Sequence, residues 1–185
     1  MSAPATSSAS FMRLLRRFRR SRKAGAAVEF AIVAPIFIGL LFAILETALM
    51  FFASQVLESM TQQSARVILT GQAQEHSPAY TNATFLNNVV CAQIPAIFSC
   101  ANISVDVKSY STFASVTFPS QIDNNGNFIS NNLSYNPGNP GDIVVLRVFY
   151  PWQLFVTRFG FNLSNMANSQ RLLIATATFM NEPYQ

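Results

Sequence analysis

Glu29 stands at the head of a long apolar run, Phe30 to Leu45, and a second carboxylate, Glu46, interrupts that run before it continues to Ala53. An ionised carboxylate at the centre of a bilayer costs on the order of 3 kcal/mol, less near the interface, so a membrane helix that keeps one asks for a partner. Two roles are open for Glu29. It can meet the positive end of the helix dipole at headgroup depth, or it can pair with a free amine or a basic residue once the segment packs against neighbours. Glu46, nearer the other interface, reads as an exposed residue just past the hydrocarbon core, in no need of a function. The remaining reactive residues are Cys91 and Cys100, with a single His76 in the chain. They cannot build an ordinary zinc site, and they suit one disulfide in an oxidising compartment or, in a reducing one, two buried thiols.

Catalytic patterns are missing from the sequence. There is no G-x-S-x-G, no P-loop, no G-x-G-x-x-G and no H-E-x-x-H, and no carboxylate pair with nearby partners outside the apolar run. The expectation is a protein that is not an enzyme, with no cofactor, no metal and no small-molecule substrate. Nucleic acid is not expected either. Seven of the twelve basic residues (Arg13, Arg16, Arg17, Arg19, Arg20, Arg22 and Lys23) precede Glu29, the first acidic residue, and everything from Glu29 onward carries five basic residues against eight acidic ones. The basicity belongs to a leader and not to the body.

These residues must be placed by a small set of elements. Residues 1–10 are small and polar and read as a disordered tip. Phe11, Leu14, Leu15 and Phe18 then recur at helical spacing among arginines, which suits a lipid surface or merely sets topology. Residues 30–53 as a helix would be about 36 Å long, enough for a bilayer core of about 30 Å. The arginine excess before this span places the N-terminus in the cytoplasm and residues 54–185 across the membrane. Residues 54–69 are amphipathic and continue the helix, with Gly71 as its stop. A short second helix is expected over 84–90. After it, alternation at Ile103, Val105 and Val107 and again at Ala114, Val116 and Phe118 predicts a hairpin. Residues 119–141 are rich in Asn, Gly and Pro and read as a long exposed loop with a turn near Gly126. Strands are expected again over 142–150 and 171–180, with Trp152, Phe155, Phe159 and Phe161 between them packing over the sheet. The fold class is α+β: three to four antiparallel strands against one long helix. The organisation is a basic cytoplasmic leader (1–25), a transmembrane and extended helix (26–71) and a periplasmic α+β domain (72–185).

The stretch from Lys23 to Ala31 (KAGAAVEFA), followed by IVAPIFIGLLFAILE, resembles the N-terminal signature of TadE-like proteins, pseudopilin-type components of the Tad (tight adherence, Flp-type) pilus machinery. The resemblance rests on the basic leader, small residues before a Glu with an aromatic beside it, a Pro in the apolar run and an acidic residue near its end. The Cys91 and Cys100 pair before a strand and the closing residues 175–184 also look like the periplasmic part of that family. The resemblance implies processing by a prepilin peptidase around Ala24, Gly25 and Ala26, with Glu29 pairing with the new amine or another subunit. Cutting after Gly25 makes Glu29 fourth in the mature chain, and cutting after Ala24 makes it fifth. It also implies a bacterial inner-membrane location, with sister pseudopilins, an inner-membrane platform and an assembly ATPase as partners, and a role in cell adhesion. The alternative is an unprocessed single-pass protein with a periplasmic binding domain.

Overall fold

The computed structural model describes residues 22–155 and 162–183, with side chains from Gly25 onward. The polar tip, the arginine-rich segment up to residue 21, Phe159, Phe161 and Tyr184 lie outside the described residues. The chain divides into one unit that ends at Ile44 and a second that runs from Leu45 to Gln185.

One helix, α1 (Arg22–Leu69), carries the whole apolar run, with Pro35 inside it. A continuous helix satisfies its own backbone groups, which an apolar surrounding demands. Its best 18-residue window has a mean hydropathy of 2.6 and none of it is buried. This helix is long and apolar enough to span a membrane. Arg66 in the last turn meets the negative end of the dipole. Gly71 then takes a left-handed φ of 79°, where a side chain would be strained.

Within the second unit α1 changes character. Met50, Ala53, Leu57, Met60, Ser64 and Ile68 are buried at spacings of three and four, while Leu49, Phe51 and Phe52 are exposed. The buried stripe faces a sheet of three strands, β1 (Ser104–Tyr110), β2 (Ile143–Gln153) and β3 (Gln170–Met180), antiparallel and in sequence order. Val105, Val107, Leu146, Val148, Leu173 and Ala175 join the helix stripe in one core with Phe85, Val90 and Phe98. Helix and sheet are clamped at both ends. The Glu182 N–H donates to the Leu69 carbonyl at 3.0 Å, and the Phe155 N–H donates to a carboxylate oxygen of Glu46. The rise of α1 from Glu46 to Leu69 is about 35 Å and that of the eleven-residue β2 about 36 Å, so the two run side by side.

The expected hairpin of Ile103–Lys108 with Ala114–Phe118 does not form. Residues Phe113–Ser115 make a 3-10 turn with Phe113 and Phe118 exposed, and β1 pairs instead with β2, Val107 opposite Leu146. Period-two alternation marks a strand without naming its partner. Nor is the Asn-rich stretch simply exposed. Its backbone extends the sheet beyond β1, with the Val107 N–H donating to Ser134 O at 2.8 Å and the Asn136 N–H to Val107 O at 2.9 Å. Phe128 lies on Phe149 with ring centroids 5.6 Å apart, and Gln121 is buried. The stretch covers the second face of the sheet, which explains why Ile143 to Tyr150 of β2 are all buried. The expected turn is present: the Asp123 carboxylate accepts the Asn125 and Asn127 N–H groups at 2.8 and 2.7 Å, and the bond from Asn127 leads in holding its pKa below the usual carboxylate range. Gly126 is required there, because a Cβ would come within 2.8 Å of the Ala167 nitrogen.

The second helix begins earlier than expected. Thr81 and Thr84 form a reciprocal capping box ahead of α3 (Asn82–Phe85), which follows the single turn α2 (Gln72–Glu75) and runs into a π-helical turn, Leu86–Val90. Phe155 does not pack over the sheet, being 84% exposed, whereas Trp152 sits within β2 and edges against Phe98 and Tyr150.

Candidate functional site

The residues singled out by the sequence fall on three places: the head of α1, the point where the sheet meets it at Glu46, and the loop between Cys91 and Cys100. At the head, Ala24, Gly25 and Ala26 lie in the opening turns of the helix, and a Cβ built on Gly25 would have nothing within 4 Å. Glu29 is exposed on the following turn. The large apolar side chains between Val28 and Phe42 are exposed around it. A carboxylate on such a helix can serve an amine or a basic group from a second helix.

Glu46 departs from the expectation of an idle surface group. It is half-buried on the sheet side of α1, and its carboxylate takes the backbone N–H of Phe155. The signal was in the sequence: a carboxylate within an apolar run needs a donor, and the domain supplies one from its backbone.

Cys91 and Cys100 are joined by a disulfide, with Cα atoms 5.7 Å apart. It ties the end of the π-helical turn to the 3-10 turn that leads into β1. Closing a loop of this size stabilises a fold by about 2–3 kcal/mol. The double variant Cys91→Ala/Cys100→Ala is therefore expected to lose that much in urea unfolding of the full chain. Protein unfolded without reductant should show no reactive thiol; two freely labelled cysteines would mean that the bond does not form in the host.

Two further features escaped the sequence reading. Asp106, 1% exposed, and Arg147, 4% exposed, form an ion pair at 2.6 Å beneath the Asn-rich cover, with Lys108 at 3.2 Å and the Ser134 N–H donating at 2.9 Å. A lone Arg inside the apolar strand IVVLRVFY was the available sign that a partner existed. The second is an open groove of about 400 Å³ between Asn82, Leu86, Ser104, Leu133 and Tyr135. Burial, with Tyr80 adding to it, raises the pKa of the Tyr135 hydroxyl above the ordinary tyrosine range. Among the described residues no group of three or more His, Cys, Asp or Glu is gathered for a metal.

Residues 25–66 match the family model described as TadE-like protein. The match lies inside α1, so it takes in Glu29, Pro35, Glu46 and all of the buried stripe but Ile68, and none of the sheet. Comparison with curated proteins gives no match. Comparison with solved structures gives none either.

Proposed function

We propose, from the likeness of α1 to TadE-like proteins, that this chain is a membrane-anchored component of a Tad-type pilus, a pseudopilin or minor assembly protein. The observation that carries the reading is the TadE-like helix itself, apolar, long enough to span and headed by Glu29. In this reading the arginines hold the N-terminus in the cytoplasm and the sheet domain stands in the periplasm of the inner membrane. A prepilin peptidase trims the leader near Ala24, Gly25 or Ala26. The new amine then enters a helix bundle, where an unpaired charge costs several kcal/mol and the carboxylate of Glu29, on the same or a neighbouring chain, offsets it. Sister pseudopilins, an inner-membrane platform and an assembly ATPase are the partners this function calls for.

Glu29→Gln is the test. Membrane abundance should stay near the wild-type level, because a span with this hydropathy does not need a carboxylate to insert. Crosslinking to partner subunits and piliation should fall roughly tenfold or more, the equivalent of about 1.4 kcal/mol or above. Normal piliation in that variant would remove Glu29 from assembly. A mature N-terminus at Met1 in the host would favour the unprocessed anchor instead.

A further inference from the structure

The sheet lies alongside α1 and not beyond it, so its two ends stand at different heights on the helix. One end is fixed at Leu69 by the Glu182 N–H. The other is fixed at Glu46 by the Phe155 N–H. Glu46 falls within the apolar run, and the exposed apolar surface of α1 continues past it through Leu49 and Phe51 to Phe52, about 9 Å further along the axis. Whatever medium covers Phe51 and Phe52 therefore also reaches the end of the sheet that holds Phe155.

That end has the side chains such a medium selects. Phe155, two residues past β2, is 84% exposed, and Trp152, packed on one side against Phe98 and Tyr150, stands opposite Arg171 in the β2–β3 register just behind it. An apolar ring leading, with Trp and Arg a short step back, is the order of a membrane–water interface, where hydrocarbon gives way to headgroups. Glu46 fits the same placing: within an apolar run a carboxylate needs a donor, and the backbone donor it uses comes from the domain itself.

We propose that the Gln153 end of the sheet, with the exposed Phe155 beside it, is seated in the near leaflet of the same bilayer that α1 crosses, its partner being phospholipid. The proposal rests on α1 spanning a membrane and is independent of any part in a pilus. The domain then has a second membrane contact besides its anchor, which fixes its rotation about the helix.

The full chain in phosphatidylcholine vesicles with acyl chains brominated near the interface tests this, since Trp152 is the only tryptophan. In a Trp152→Phe background, single tryptophans are placed at Phe155, at Phe52 and at Phe113, which lies beyond the opposite end of the sheet. Emission from Phe155→Trp should be quenched by the brominated chains to an extent comparable with Phe52→Trp, while Phe113→Trp keeps its emission. Quenching at Phe52 without quenching at Phe155 would overturn the proposal and leave the span standing. No quenching at either would bring down both. Phe155→Trp in the chain that retains Trp152, with the Trp152 signal subtracted, must give the same result; its failure there would equally overturn the proposal.

Discussion

Asp106→Ala should lower the unfolding free energy of the full-length protein in detergent by about 3–5 kcal/mol, the usual cost of leaving one member of a buried ion pair uncompensated. Without Asp106, the Arg147 guanidinium keeps neutral partners, the Pro119 carbonyl at 3.3 Å, the Gln121 side-chain oxygen at 3.1 Å and the Phe149 ring, whose centroid is 5.2 Å away, and no carboxylate. The reverse change, Arg147→Met, should cost less, because Asp106 retains Lys108 at 3.2 Å and the Ser134 N–H at 2.9 Å. Replacing both, as Asp106→Leu/Arg147→Met, should recover much of the loss, since apolar pairs of similar volume replace buried ion pairs at little net cost. Urea unfolding followed by the near-ultraviolet signal of Tyr150 and Trp152 reads all three. A loss under about 1 kcal/mol for Asp106→Ala, the range of a surface salt bridge, would show that water reaches the pair and that the Asn-rich stretch does not cover the sheet.

The second large effect is on α1. Leu57→Ala removes a fully buried side chain from the stripe that faces the sheet and should cost about 2–5 kcal/mol, the range for large-to-small changes in a packed core. Phe52→Ala, five residues earlier on the same helix, should change unfolding by under about 0.5 kcal/mol, because Phe52 is exposed and has no core to leave. The contrast tests whether one helix serves two surroundings, lipid on one stretch and a protein core on the next. Equal effects at the two positions would mean that the sheet packs elsewhere.

Much of this arrangement was legible in the sequence. The charge-free run, the amphipathic stretch after it and the stop at Gly71 specified α1 nearly to its last residue, because helical periodicity is a local property. The strands around Val105, Val145 and Ala175 were visible by their alternation and β-branched content. Their pairing was not, since β1 passes over the nearer apolar stretch at Val116 and joins β2, and no local pattern encodes that choice. The cover over the second face was hidden for a related reason. Asn, Gly and Pro report the backbone angles a segment can adopt, not the surface it lies on. Of the candidate site, the disulfide and the position of Glu29 followed from residue type, whereas the partner of Glu46 is a main-chain N–H more than a hundred residues away, which no side-chain pattern reveals.

The non-local sheet also sets an order of events for a chain synthesised from its N-terminus. The stripe of α1 from Met50 to Ile68 emerges early, yet its core partners Leu173, Ala175 and Ala177 belong to β3, the last strand. β1 likewise emerges long before β2, and the loop between them must close before their contacts return any stability. Early segments can form only the helix and the small capped turns near Phe85. The domain therefore closes only once synthesis is nearly complete, in a step timed by the arrival of β3. Until then the apolar stripe of α1 waits uncovered, without the strands that will bury it.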